Sequence, residues 1–316
     1  MEERDLLEST SNSDTAIIDE KDTILDKVRK GKSQIYKDLS GSEVNLQRKL
    51  IENVICFCGY AGATGASTMA ANIAASMNKK GLSVLIIDTN IMFPIQHTFF
   101  GVEQELEKKD LYSYLMGDSS LKDSITYIEN GVGPYKFKSK TMAIMYANNR
   151  NIINSIDVDN RESSTNFDIL LEETSKNFDV VIIDCSLRID LDIVNKALYR
   201  SDSIYMVMDE NMQCLSNVSR VKSYMQIMGI NVNKIRTIFN KRTDIKFPNI
   251  KKFGIEPIAY FPFDKAIISC GIDGQIFTLH GASNDKSAGY FNSALLELRD
   301  HILVAGGYKR GQKETS

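Results

Sequence analysis

Residues 59–68 read Gly-Tyr-Ala-Gly-Ala-Thr-Gly-Ala-Ser-Thr. Small residues at that density let a backbone curl so that successive N–H groups point inward, which suits an anion. Ser67 and Thr68 add hydroxyls where a helix would begin, and Ser67 is placed to meet a magnesium ion. This is the outline of a phosphate-binding loop, with Gly62, Ala63, Thr64, Gly65, Ala66, Ser67 and Thr68 as the expected contacts. Alanine stands at both positions, 61 and 66, where such a loop would carry a lysine.

Three polar residues fall at the ends of apolar runs farther on: Asp88 after Val84–Ile87, Asp184 after Val180–Ile183, and Asn240 after Ile235–Phe239. Open α/β sheets bind ligands at the C-terminal ends of their strands. An acid there, downstream of a phosphate loop, can hold magnesium directly or through water. The metal-side candidates are therefore Ser67, Asp88 and Asp184.

The elements that must position these residues alternate. Val54–Cys58 is the short all-apolar strand of a sheet covered on both faces. A helix is expected from about Thr68 to Lys80, with Ala71, Ile73, Ala74 and Met77 inward and Gly81 as its C-terminal cap. Residues Asp110–Met116 and Leu121–Ile128 read as two short helices. Met142–Tyr146 reads as a strand and 148–166, rich in Asn, as a loop. Helices over Phe167–Lys176, Leu191–Tyr199 and Leu215–Met228 alternate with the remaining strands, and Ile258–Phe261 is the last strand. Tyr290–Leu303 closes the fold. Strand–helix alternation predicts an α/β, doubly wound, mainly parallel sheet with right-handed crossovers.

Ahead of this domain (52–305), residues 1–20 are acidic and rich in Ser and Thr, a composition that predicts disorder. Residues 21–51 read as a helical arm that packs on its own domain or docks a partner or an acidic lipid surface. Residues 306–316 form a basic tail. A formal net charge of −3 and a pI near 5.8 argue against indiscriminate nucleic-acid binding. The five cysteines lack metal-site spacing and read as reduced core residues. With no signal-peptide pattern at the start and no membrane-length apolar run, a cytoplasmic protein is expected.

At the loop, Val84–Asn90, Asp179–Asp184 and Phe239-Asn240-Lys241, the chain resembles the ParA/MinD superfamily of deviant Walker-motif ATPases. The Gly-Ala-Ser-Thr-x-Ala-x-Asn-Ile-Ala pattern of 65–74 looks most like its CpaE/TadZ branch, as do Leu111–Gly117 followed by Leu121, Ala197-Leu198 before Ser201-Asp202, and Pro262-Phe263-Asp264 before Gly271. The resemblance covers roughly 53–303. It leaves no room in the first fifty residues for the receiver-like domain that often precedes the ATPase in that branch.

The resemblance implies ATP or ADP with Mg2+ as ligands, a homodimer, and protein partners in pilus or secretion assembly. Ala61 stands where the family's signature lysine crosses a dimer, Ala66 where the ordinary loop lysine meets the phosphates, and Ala63 where a glycine is usual. Asp88 matches the first acid of an Asp-x-Asp pair, and Asn90 replaces the second, which helps position the attacking water. Asp88 and Asn90 are thus the only catalytic candidates. Asn240 matches the asparagine that recognises adenine. Losing a preorganised charge contact costs on the order of 10²–10³ in rate, so binding is expected to outlast turnover.

Other patterns carry less. His97, His280 and His301 have no ligand spacing for zinc. Arg188 reads as a surface arginine, the alternative being a substitute cation. Lys241, Arg242, Lys246, Lys251 and Lys252 read as a solvated face. On a ParA-type partition ATPase they would be a DNA patch, which is the alternative function. The closing helix reads as core packing, against a membrane-binding face like that of MinD-like relatives. A nucleotide-independent scaffold is a second alternative.

Overall fold

The computed structural model describes residues 53–103, 110–128, 141–148, 160–243, 250–280 and 286–307. The N-terminal tail and arm, Lys246 and most of the basic tail lie outside them. Contacts divide the chain into two units. Leu50–Lys222 with Asn231–Ser316 carries the loop and the sheet. Of the other, only Ser223–Ile230 is described, the end of one helix and a turn at Gly229 with φ 74°.

In chain order the strands are β1 (Val54–Gly59), β2 (Val84–Asp88), β3 (Thr126–Tyr127), β4 (Met142–Met145), β5 (Val180–Cys185), β6 (Ser203–Met208), β7 (Ile235–Arg242) and β8 (Pro257–Pro262). They form one sheet of order β3-β4-β2-β5-β1-β6-β7-β8. All pairs are parallel except β3 against β4. Every residue of β1, β2, β4 and β5 is buried, as the continuous apolar runs demand of a sheet covered on both faces.

The helices are α1 (Ala66–Lys79), α2 (Gln96–Phe99), α3 (Leu111–Leu115), α4 (Leu121–Ser124), α5 (Arg161–Asn177), α6 (Asp192–Arg200), α7 (Met212–Ile227), α8 (Lys265–Ile272), α9 (Phe277–His280) and α10 (Lys286–Ala305). Alanines 70, 71, 74 and 75 let α1 lie close on the sheet, where Met69, Ile73 and Met77 fill the core. Phe261 of β8, Phe277 of α9 and Phe291 of α10 pack ring on ring. Leu295, Leu298, Ile302 and Leu303 are all buried. The apolar face of α10 is therefore spent on the core, which leaves the membrane-face reading without its residues.

Several boundaries differ from expectation, among them Met212 and Lys286, where α7 and α10 begin three and four residues early. Helix α1 starts at Ala66, two residues early, because left-handed Gly65 caps it and the Met69 N–H already bonds the Gly65 carbonyl at 2.9 Å. Helix α4 is one turn long: Ile125 turns extended, and Thr126–Tyr127 pair antiparallel with Ile144 and Ala143. Residues 161–166 are helical rather than loop, since the Asn160 side chain accepts from the Ser163 N–H at 2.8 Å and caps α5. Strand β7 runs three residues past Phe239 through an irregularity against β8. Among the described residues, no helix is long and apolar enough to cross a membrane. Four cysteines are buried and Cys270 half-buried, all as free thiols.

Candidate functional site

The loop between β1 and α1 is held from three directions. Its Tyr60 N–H donates to the Val207 carbonyl of β6 at 2.9 Å, and Asn217 of α7 donates to the Tyr60 carbonyl at 2.8 Å. From β7, the Asn240 amide donates to the Thr64 carbonyl at 2.9 Å, and the Lys241 ammonium donates to the Ala63 carbonyl. The irregularity at the end of β7 brings this about. Lys241 adopts φ 54°, and a bulged strand end re-aims its side chains. Lys241 is therefore a loop contact, correcting the solvated-face reading for that residue, while Arg242 lies over the Tyr260 ring at 5.4 Å.

Gly65 and Gly59 are fixed by close approach. A Cβ on Gly65, at φ 92°, would stand 2.5 Å from Asn240 Nδ2, and one on Gly59 2.5 Å from Thr64 Oγ1. Ala63 also has positive φ, 60°. A left-handed alanine costs roughly 1–2 kcal/mol, so the methyl where a glycine is usual is a strained one. Ala61 is buried and Ala66 half-buried, and neither brings charge to the loop.

Beside the loop, β2 and β5 lie adjacent with Asp88 and Asp184 in register. Ser67 Oγ donates to Asp184 Oδ1 at 3.1 Å. Asp88 accepts the backbone N–H groups of Asn90 (3.0 Å), Ile95 (2.7 Å) and Gln96 (3.0 Å). Burial pushes the Asp88 carboxyl up to about 6 against the pull of those three donors. Burial, and then the neighbouring Asp88, push Asp184 up to about 8 in spite of Gln96 and Ser67. Asn90 is occupied with its own turn, its amide donating to the Phe93 carbonyl at 2.9 Å. Arg188 pairs with exposed Asp190 at 2.8 Å, a surface role as expected.

Gln96 joins the loop to these acids. Its Nε2 donates to the Ser67 carbonyl at 3.1 Å and to Asp184 Oδ2 at 2.7 Å. Gln96 is fully buried, and its Oε1 has no hydrogen-bond partner among the described residues. An unmet buried acceptor costs about 1–3 kcal/mol. Two raised acids, a serine hydroxyl and an unmet carbonyl oxygen make a hard-oxygen set short of positive charge, and such a set suits a magnesium ion.

The loop, Ser67, Asp88, Asp184 and Asn240 thus converge at one end of the sheet. Sequence reasoning missed Gln96, which lies in the irregular stretch after β2 where no periodicity marks it. It also missed the loop contacts of Lys241 and Asn217. For Lys241 the signal was its place beside Asn240.

The AAA domain family model matches residues 52–238. No curated protein matches. Among solved structures, the septum site-determining protein MinD of Pyrococcus horikoshii, complexed with Mg-ADP, superposes with a TM-score of 0.63 at 17% identity, covering 82% of this chain and 99% of that one. A ParA family ATPase of Chlorobium tepidum gives 0.62 at 18% identity, covering 79% and 99%. The MinD of an Aquifex aeolicus MinC:MinD cell division complex gives 0.61 at 18%, covering 83% and 98%. The chain belongs to the AAA domain family and has the MinD/ParA fold.

Proposed function

We propose that this chain is a MinD/ParA-like nucleotide-binding protein that acts as a spatial or assembly factor for a pilus or secretion apparatus, in the manner of the CpaE/TadZ branch. It holds ATP or ADP with magnesium and turns it over weakly or not at all. The observation that carries the reading is the asymmetry of the site. Groups fit to hold a nucleotide are present and tied together, namely the loop, Ser67, Asp184 and Asn240, whereas both lysine positions are alanine and Asn90 is spent on a turn. MinD of P. horikoshii, with the same fold, is complexed with Mg-ADP.

In this reading, backbone N–H groups from Gly62 to Thr68 cradle the phosphates. Ser67, Asp88 and Asp184 hold the magnesium, which neutralises phosphate charge when bound. Asn240 would recognise the base, and through Thr64 it fixes the loop's position. Phosphoryl transfer depends on positioning and on charge stabilisation at the phosphate oxygens. With the lysine charge absent, the chain's residues serve retention of the nucleotide better than its cleavage.

The aligned MinD of A. aeolicus is in complex with MinC. By analogy the partner here is a protein, of the pilus or secretion assembly, and the working form is a homodimer. The DNA-partition alternative is weakened because Lys241 and Arg242 are engaged on the loop and on Tyr260. A phosphate-release assay with Mg-ATP tests the reading. Turnover no faster than on the order of one per minute, well under ordinary enzyme rates, is expected. Fast turnover abolished by Asp184→Ala would make the chain a working ATPase. A salt-sensitive shift of duplex DNA, lost with Lys251→Ala and Lys252→Ala together, would favour the partition reading.

A further inference from the structure

We propose that Gln96 is a positioning residue for the divalent cation, its Oε1 accepting a hydrogen bond from a water on the ion. This deepens the nucleotide-binding reading above and rests on it.

The amide of Gln96 has one orientation open to it. Both Nε2 protons are taken by acceptors, the Ser67 carbonyl and Asp184 Oδ2. Turning the amide over would aim its oxygen at the same two acceptors, so the hydrogen-bond network fixes which atom is which. Oε1 is then left in a fully buried position without a donor among the described residues. Buried polar atoms are nearly always paired, and one that is not calls for an explanation. A water bound to a magnesium ion supplies what is missing, a strongly polarised O–H donor. Magnesium keeps several waters when proteins bind it through one or two carboxylates.

Position supports the same conclusion. Gln96 touches Asp184 through its side chain and Asp88 through its backbone N–H at 3.0 Å. The Ile95 N–H bonds the same Asp88 oxygen at 2.7 Å. The first turn of α2 is therefore fastened to both acids that would face the ion, and to the loop through Ser67. No residue other than Gln96 has its side chain bonded to both the loop backbone and an acid among the described hydrogen bonds.

The test is a titration of the full chain with Mn2+, followed by electron paramagnetic resonance in the presence of ADP. It compares the unmodified chain with Gln96→Met and Gln96→Glu, and a parallel titration measures ADP affinity in excess chelator. Gln96→Met loses the Oε1 acceptor together with the Nε2 bonds to the Ser67 carbonyl and Asp184 Oδ2, so it should weaken Mn2+ binding by at least about tenfold. Its ADP affinity in chelator should stay within about twofold of the unmodified chain's. Gln96→Glu keeps an acceptor at the Oε1 position but sets its second oxygen against the Ser67 carbonyl and Asp184 Oδ2, so it should fold less stably without metal, yet hold Mn2+ better than Gln96→Met and alter the resonance spectrum. It should also show a larger rise in unfolding temperature on Mn2+ addition than the unmodified chain, because the ion relieves a third carboxylate.

Equal Mn2+ affinity in the unmodified chain and Gln96→Met would overturn the proposal, and so would an equal loss in Gln96→Met and Gln96→Glu, which would leave Gln96 as a strut for Asp184. A matching loss of ADP affinity in chelator would do the same. Should Gln96→Met not fold, an Mn2+-insensitive Gln96→Glu would overturn it. Absence of any ADP binding by the unmodified chain would instead sink the nucleotide reading itself, a separate outcome.

Discussion

Asp88 and Asp184 are register partners on neighbouring parallel strands, with both carboxylates buried beside the same loop. Like charges so placed, without a described cation bonded to either, leave the folded protein holding protons that the unfolded chain would release. Both folded pKa values are raised, to about 6 and about 8, over an unfolded carboxylate near ~3.9. The sign follows. The stabilisation is fully present below about pH 4, and it is lost as pH rises through 6 and then 8. In chelator, the stability difference between the unmodified chain and Asp184→Asn should shift in favour of the variant as pH rises across that window. The slope should be on the order of 1 kcal/mol per pH unit, measured by denaturant unfolding at several pH values. A difference that does not change with pH would refute the assignment.

Ala63 sits at φ 60°, a conformation that glycine adopts without strain. Ala63→Gly is expected to stabilise the protein or leave it unchanged, with a gain of up to about 1 kcal/mol. Gly65→Ala should do the opposite, since its methyl would meet Asn240 Nδ2 at 2.5 Å. Thermal unfolding of the two variants compares the signs directly, and a destabilised Ala63→Gly would show that the methyl is packed to advantage.

Asn240 and Lys241 together fasten the loop from β7. Replacing Asn240 by Leu removes the donor to the buried Thr64 carbonyl and should cost about 1–3 kcal/mol of stability together with nucleotide affinity. Lys241→Gln keeps an amide donor for the exposed-side contact, so its stability should change by less than about 1 kcal/mol. A larger loss for Lys241→Gln than for Asn240→Leu would reverse the assigned importance of the two ties.

The strands were legible because an all-buried strand must be apolar throughout. Val54–Cys58, Val84–Ile87 and Val180–Ile183 stand out for that reason, and the polar residue ending each of the later two runs marked the ligand end of the sheet. Helix α5 was legible only in part. Its first six residues, Arg161–Asn166, are polar and were recognisable only through the Asn160 cap. The site divides in the same way. Ser67, Asp88, Asp184 and Asn240 carry positional signals, at a loop end or at a strand end. Gln96 carries none, because what makes it part of the site is tertiary: its backbone and side chain bond Asp88 of β2 and Asp184 of β5. Lys241 had a position but not a direction, which only the irregular end of β7 supplies.

Restoring charge should reveal what the loop lacks. Ala66→Lys puts an ammonium at the half-buried position at the start of α1. It is expected to raise ATP affinity about tenfold, as a charge-assisted contact does, while turnover stays low because Asn90 is unchanged. Nucleotide titration with phosphate release checks both. Unchanged affinity would mean that the alanine loop already meets the phosphates fully.

If the chain holds a nucleotide without the loop lysines, calorimetric titration with Mg-ATP should show it directly. One site per chain is expected, with a Kd below about 1 mM, equivalent to at least about 4 kcal/mol of binding free energy, and the binding heat should vanish in Gly65→Ala. No heat at millimolar Mg-ATP from the folded, unmodified chain would contradict nucleotide binding and leave a scaffold that has kept the loop's shape without its ligand.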